Sequence, residues 1–281
     1  MPTATQHHSF LEYRRYLFLK LAGLLVAICT LAYFWQQPAS DRYGGSAMGY
    51  TLGAVAALLV LILLWFGVRK RQYRNAVGTL KGWLSAHVYL GLALVFVATL
   101  HSGFEMGWNL HTLCYVLMLT VVASGFYGVY AYVRFPRLLT LAMGEDTLDT
   151  LFLKIADLDQ QARRIAMQLP DEINGLVLAA AQKTQIGGGV LRQLRRRRPD
   201  CATARAVDRL QQLGGGLDSE RAQLNRELYA LMLRKAGLVQ RAREDVMYRA
   251  RMQVWLYFHV PLAVAMLAAL IAHVLSVFYY W

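Results

Sequence analysis

Residues 251–281 read RMQVWLYFHVPLAVAMLAALIAHVLSVFYYW. Most of this stretch is apolar, and about 20 apolar residues are enough to cross the hydrocarbon layer of a membrane as a helix. It contains two histidines, His259 and His273, which are fourteen positions apart. An earlier apolar stretch repeats the arrangement with His87 and His101. Because a strongly polar side chain is costly inside a membrane, these four histidines are candidates for a function.

The whole chain is too apolar for an ordinary soluble domain. Of its 281 residues, 57% are hydrophobic, and the mean hydropathy is +0.32. The apolar residues are clustered, which predicts an all-α integral membrane bundle of five transmembrane helices. The first segment is not expected to be a signal peptide, because it is long and no small-residue cleavage site closes it. The predicted spans are 16–35, 49–68, 84–104, 111–133 and 253–280.

The placement of charge predicts how the spans are oriented. The chain has a net charge of +13, and basic residues cluster before the first span and between the second and third. The loops 36–48 and 105–110 carry few charges. Since cytoplasmic loops are enriched in Lys and Arg, we expect a multi-pass protein of the cell inner membrane, with its N-terminus in the cytoplasm and its C-terminus on the outer face. Membrane lipid, and not nucleic acid, is the expected partner of this charge.

Two other residue types are less informative. The three cysteines form neither a CxxC pair nor a CxxCH motif, so neither a disulfide framework nor a covalently attached c-type haem is expected. His7 and His8 lie on a polar N-terminal arm, where adjacent histidines are usually solvated.

A polar region separates the fourth and fifth spans. We expect the fourth helix to end at Pro136, which divides the chain into residues 1–136 (four spans), 137–250 (a cytoplasmic domain) and 251–281 (the fifth span). An amphipathic helix is predicted from Leu148, and a second helix should start after Pro170. The expected tip holds a glycine run and the basic run Arg195–Arg198.

The return arm of this region has leucines at a period near 3.5, which is typical of a coiled-coil seam. We therefore predict a coiled-coil-like helical hairpin whose second arm continues from about Asp218 into the fifth span, after one break at Gly214–Gly216. The leucines concerned are Leu210, Leu217, Leu224, Leu228, Leu231 and Leu238.

Helical geometry relates the two histidine pairs. Fourteen residues turn through about 1400°, within about 40° of four full turns, and rise about 21 Å. Both histidines of a pair therefore face nearly the same side, one near each membrane surface. The third and fifth spans run parallel, so His87 should lie level with His259 on the inner side, and His101 with His273 on the outer side. Small residues lie one helical turn from several of the histidines, as Gly91 does from His87. A flat macrocycle bound to the histidine would need clearance at such a position.

This arrangement predicts metal ligation. Two imidazoles suit the axial positions of one haem iron, so the four histidines predict two non-covalent, bis-histidine haem b groups. The alternative is four structural histidines that hydrogen-bond to neighbouring helices. A zinc or copper site is not expected, because the two pairs lie too far apart to form one compact cluster.

These residues also carry a family resemblance. Histidines fourteen apart on two parallel spans resemble the cytochrome b of respiratory complexes, and their place on spans three and five resembles the ferric reductase/NADPH oxidase transmembrane domain. The resemblance covers about 10–133 and 250–281 and implies two haems that pass electrons across the membrane. Neither a sixth span nor a GxGxxG motif is present. The chain is therefore expected to be an electron-transfer subunit of a membrane oxidoreductase, not an enzyme by itself.

The expected partners follow from that role. A separate cytoplasmic flavoprotein or iron–sulfur protein should dock on 137–250, and an acceptor or donor such as a c-type cytochrome should meet the outer haem. His111, at the outer start of span four, is a candidate contact for a propionate, a quinone or a proton path; the alternative is a simple interfacial polar group. Quinol oxidation has no identifiable residue set, and a non-redox scaffold or receptor is the rival function. Candidate propionate partners are Arg69, Lys81, Arg249 and Arg251.

Overall fold

The structure is a computed structural model of the 281-residue chain, and it describes residues 10–36, 43–71, 78–144, 146–194, 201–216 and 218–280. Within these ranges the regular elements are helices, and no strand is present. The chain divides into one unit of residues 1–130 with 255–281, and a second unit of residues 131–254. The helices are α1 (Leu17–Trp35), α2 (Ala47–Arg71), α3 (Leu80–Ser102), α4 (Leu110–Met143), α5 (Leu148–Ala166), α6 (Asp171–Lys183), α7 (Val190–Gln193), α8 (Ala202–Leu213) and α9 (Ser219–Tyr280).

Five helices in the described ranges are long and apolar enough to cross a membrane, which confirms the predicted number. They are α1, α2, α3, α4 and α9. Large apolar side chains on them, such as Leu31, Phe96 and Phe258, are exposed at the protein surface. Lipid tails solvate such side chains without cost, so the surface is compatible with a multi-pass membrane protein.

The first unit is held together by a core to which all five of these helices contribute. In lipid, burial of apolar groups gives little driving force, so close van der Waals packing and hydrogen bonds must hold such a bundle. The Tyr89 hydroxyl of α3 reinforces this packing by donating to the Leu11 carbonyl, in the 3-10 turn that precedes α1, at 3.1 Å. The buried members of the core are Cys29, Tyr33, Leu52, Ala56, Leu59, Val60, Leu94, Val97, Met118 and Met266.

The helix α3, which carries two of the candidate histidines, has well-defined ends. The Thr79 side chain caps its first turn by accepting a hydrogen bond from the Gly82 N–H at 3.1 Å. At the other end, Gly103 adopts φ 58° and its N–H bonds to the Leu100 carbonyl. A positive φ is accessible to glycine without steric cost, so Gly103 ends the helix just after His101.

The prediction that the fourth helix ends at Pro136 is wrong. Helix α4 continues through this proline to Met143. Proline inside a helix costs about 3 kcal/mol. Here the adjoining turn is well packed, since Ala131 and Phe135 are buried and the Phe135 ring lies 5.1 Å from that of Tyr248. Packing therefore maintains a helix that the sequence rule would end.

The second unit is a small helical cluster. Helices α5 and α6 begin where the sequence predicted, at Leu148 and directly after Pro170. They pack with α8 and the first part of α9 around one core. The region therefore contains more helices than the two arms of the predicted hairpin. The Arg195–Arg198 run, His7 and His8 lie outside the described residues. The buried core is Ala162, Ala166, Leu169, Ile173, Val177, Ala180, Ala206, Val207, Leu210, Leu228 and Met232.

The return arm is continuous, as predicted, but its buried seam differs from the predicted one. Helix α9 runs unbroken from Ser219 to Tyr280 after a 3-10 turn at Gly214–Gly216. The leucines at 224, 231 and 238 are half-buried, with Leu224 and Leu238 packed against core clusters, and Leu217 lies outside the described residues. The buried stripe alternates steps of three and four, as a coiled-coil seam does. It consists of Asn225, Leu228, Met232, Lys235, Val239 and Ala242.

Candidate functional site

The first histidine pair, His87 and His259, lines a single cavity of about 100 Å³ inside the first unit. Helices α2, α3, α4 and α9 all contribute to its wall. Nδ1 of His87 is buried and has no hydrogen-bond partner among the described residues. Gly91, one turn along α3, also lines the cavity, and a methyl group added there would meet no atom within 4 Å. The cavity wall therefore contains both a histidine whose Nδ1 has no partner among the described residues and a glycine with open space around it.

Hydrogen bonding fixes which nitrogen of His259 is free. Nδ1 of His259 lies 2.6 Å from the Ser124 hydroxyl oxygen. That hydroxyl donates its single hydrogen to the Val121 carbonyl at 2.7 Å. With that hydrogen engaged, the hydroxyl accepts from His259 in the tautomer that carries its hydrogen on Nδ1 and its lone pair on Nε2, and this tautomer is assigned from the hydrogen-bond network. Metal-binding histidines are commonly oriented in this way by a second hydrogen bond.

Small residues on α4 make room for this part of α9. The indole N–H of Trp255 donates to the Ser124 carbonyl at 2.8 Å, and its ring centre lies 5.1 Å from that of His259. The indole covers Gly128 so closely that any side chain there would collide with it. Gly125 likewise leaves space next to His259, whose Cε1 would lie 3.8 Å from an added methyl group. The sequence of α4 thus positions the His259 imidazole.

Replacing Ser124 with alanine should weaken whatever His259 ligates. Loss of a hydrogen bond to a ligating histidine typically costs about 10–100-fold in affinity. We expect a loss of that size in titrations of the purified chain with haem. Thr120→Ala is the matched control, because within the described part of the chain the Thr120 hydroxyl bonds to the Val116 carbonyl of its own helix and not to a histidine. Equal affinities of the two variants would exclude an orienting role for Ser124.

The second pair, His101 and His273, is joined by His111 from the start of α4. The ring centres of His101 and His273 are 6.2 Å apart, and His111 lies 5.2 Å from the first and 5.0 Å from the second. All three side chains are half-buried, and their ligand nitrogens lie within 4.8 Å of one another. The structure therefore forms a three-histidine cluster at one end of the bundle.

Helix α2 orients His101 within this cluster. Nδ1 of His101 lies 2.8 Å from the Gly49 carbonyl, which can only accept, so Nδ1 carries the hydrogen and Nε2 the lone pair. A methyl group on Gly53 would lie 2.8 Å from Cε1 of the same ring. The Gly49-x-x-x-Gly53 sequence therefore positions His101 directly. The Gly49 carbonyl accepts its hydrogen bond, and the missing side chain of Gly53 lets the ring pack against α2.

From the sequence, four of these histidines are paired and His111 is a candidate contact at the outer level, but a three-histidine cluster is not predicted. The structure places His87 with His259 and His101 with His273, the same pairs that helical spacing predicts. It adds His111, which spacing did not relate to either pair because a loop, and not one helix, brings it next to His101. A zinc or copper site was considered from the sequence only for the two pairs together, whereas the structure forms a compact group from one pair and His111.

The donor atoms around the first cavity suit a haem, but the volume of the cavity is too small to hold one. Two histidines, one with its lone pair assigned to Nε2, face a space lined by Gly91 and Gly125. The cavity of about 100 Å³ is smaller than the roughly 300–1,000 Å³ of ordinary ligand pockets. Binding of a macrocycle would therefore require its apolar wall to move apart.

Two of the basic residues proposed for propionates have protein partners. Arg69 donates from Nη2 to the Gly78 carbonyl at 2.7 Å. Arg249 pairs through Nε with Asp245 at 2.7 Å, and this hydrogen bond and charge raise the pKa of Arg249. Ordinary interactions within the protein thus account for part of the basic set.

Comparisons of the chain with models of protein families, with curated proteins and with solved structures find no match. The function is therefore inferred from the side chains described above.

Proposed function

We propose that the chain is a di-haem b-type cytochrome subunit that transfers electrons across a membrane. His87 and His259 would hold one haem, and His101 and His273 the other. The single observation that carries this proposal is that α3 and α9 bring their histidines together in two separate pairs, at two levels of one bundle.

The hydrogen bonds of the ligands support the same assignment. One histidine of each pair, His259 and His101, donates from Nδ1 to a fixed oxygen and keeps its Nε2 lone pair. Axial imidazoles of haem iron need such a lone pair.

The residues have separate tasks in this proposal. The four imidazoles bind, Ser124 and the Gly49 carbonyl orient, and the apolar wall around His87 and His259 excludes water. Bound haem supplies reversible one-electron chemistry. The protein contributes the spacing of the two levels, which helical geometry sets at about 21 Å between the histidines of one helix.

The orientation and partners belong to the proposal as well. Positive-inside charge favours a cytoplasmic N-terminus in a cell inner membrane, with His87 and His259 at the cytoplasmic level. A flavoprotein or iron–sulfur protein would exchange electrons there and dock on the helical unit 131–254. A c-type cytochrome or another outer-face partner would meet the level of His101 and His273.

The rival function is a non-redox membrane scaffold or receptor. It is favoured by one observation, namely that the unit 131–254 has a packed core of its own and is able to present a stable surface to a protein. In that case the histidines would serve structure alone.

The absorption spectrum of the purified chain separates the two functions. We expect a b-type α-band after reduction with dithionite and about two haems per chain, because two histidine pairs are present. Haem should be extractable by acidic organic solvent, since it is not covalently bound. A haem content near zero after expression with ample haem supply would refute the cytochrome and favour the scaffold.

A further inference from the structure

We propose that His101, His111 and His273 form a site for one transition-metal ion, of the class of Zn²⁺ and Cu²⁺, which is filled in molecules that carry no haem at this level. The inference does not rest on the proposed function, because three imidazoles bind such an ion without a haem. The ion and a haem exclude each other, since both require His101 and His273.

The distances between the rings match a common centre. A point equidistant from the three ring centres lies about 3.2 Å from each, as calculated from their separations of 5.2, 6.2 and 5.0 Å. An imidazole bound at the usual metal–nitrogen distance of about 2.0–2.1 Å places its ring centre about 3.2 Å from the metal. The rings are therefore held close to the separation that an ion requires, and a tetrahedral site needs in addition that His101 and His273 approach each other from 6.2 Å.

The chemistry of the donor atoms points to the same ions. Imidazole nitrogen suits zinc, copper and nickel, whereas magnesium and calcium prefer oxygen ligands. His101 is already fixed with its Nε2 lone pair available, because the Gly49 carbonyl accepts from Nδ1. Three histidines with a water or an anion in the fourth position complete a tetrahedral zinc site.

The location gives an ion access to the cluster. His101 is the next-to-last residue of α3, and His111 is the second residue of α4. All three histidines are half-buried and not enclosed. An ion from water can therefore reach them at the end of the bundle without crossing the apolar interior, unlike the cavity at His87 and His259.

The test uses the full chain produced under haem limitation, purified in detergent and treated with a chelator. After incubation with ZnCl₂ and desalting, zinc per chain is measured by mass spectrometry and haem by its pyridine complex. We expect about one zinc per chain, as for a closed set of three ligands. His111→Ala should lose at least about 10-fold in zinc retention, because one of three protein ligands is absent.

The matched control is the double variant His7→Ala/His8→Ala, which should retain zinc if the N-terminal arm is not the binding site. A second measurement guards against a folding defect: zinc should raise the Tm of the wild type and not that of His111→Ala, while the two melt alike without zinc. No retained zinc, or retention that is independent of His111, would overturn the ion site.

The haem measurement keeps the two proposals apart. Chain produced with ample haem should carry two haems and retain no zinc if both proposals hold. Zinc retention that depends on His111, together with no haem under any supply, would leave the ion site standing and refute the cytochrome.

Discussion

Replacing His259 with leucine is expected to remove one of the two haems and to leave the other in place. Haem content should fall by half, because His259 and His87 line one cavity while His101 and His273 lie at the other level. His87→Leu should remove the same haem as His259→Leu, whereas His101→Leu should remove the other. Reduced-minus-oxidised spectra and redox titration identify which haem remains, since the two differ in surroundings and hence in potential.

The pairing is tested by the double variants. His87→Leu/His259→Leu should lose no more haem than either single variant, because both ligands serve one iron. His87→Leu/His101→Leu should lose both haems. If His101→Leu leaves both haems intact, or if His87→Leu and His259→Leu remove different haems, the pairing given by the helices is wrong.

Transfer across the membrane supplies a second readout. In vesicles, electrons from a reduced donor on one side should reach an acceptor on the other side in the wild type and in Thr120→Ala. Every single-ligand variant should lose this transfer, because each breaks the relay at one level. A variant that binds one haem and still transfers electrons at the wild-type rate would show that the second level is not part of the path.

Helical periodicity predicted the parts of the site that lie on one helix. A spacing of fourteen residues places His87 with His101, and His259 with His273, along single helix faces, and the structure shows these faces directed at a shared core. His111 was not predictable in this way. Its distance from His101 depends on a loop of irregular backbone that begins with Gly103 at φ 58°, and no periodic rule describes such a loop.

The two departures from the predicted fold have a common cause. Local rules treat proline as a helix end, and treat lysine and asparagine as surface residues. Pro136 lies inside α4 because Phe135 and Ala131 are buried around it. The seam of α9 contains Asn225 and Lys235 because carbonyls on other helices accept hydrogen bonds from their side-chain nitrogens, although Oδ1 of Asn225 has no partner among the described residues. Partners distant in sequence decided both cases, and a single sequence does not reveal them.

Replacing Lys235 with methionine should markedly destabilise the unit 131–254. The Lys235 side chain is only 1% exposed, and its ammonium bonds to the Asp159 carboxylate and, at 2.9 Å, to the Ala180 carbonyl. Methionine fills nearly the same volume, so the variant removes the charge without leaving a large cavity. Breaking a buried ion pair costs about 3–5 kcal/mol, because one charge stays behind unpaired. The Asp159 side chain is 21% exposed and partly reaches water, so we expect about 2–3 kcal/mol.

Hydrogen exchange of the full chain in detergent measures this loss where it occurs. Amide protection in α5, α6 and α8 reports the opening free energy of their shared core, without the assumption that the whole chain unfolds in one step. Lys154→Met is the matched control, since Lys154 pairs with Asp146 at the surface with 55% of its side chain exposed, and it should cost under about 1 kcal/mol. The double variant Lys235→Met/Asp159→Leu should recover most of the loss, because it leaves no unpaired charge. If the double variant is as unstable as Lys235→Met alone, the ammonium–carboxylate pair is not what holds this seam, and the bond to Ala180 must account for the buried lysine.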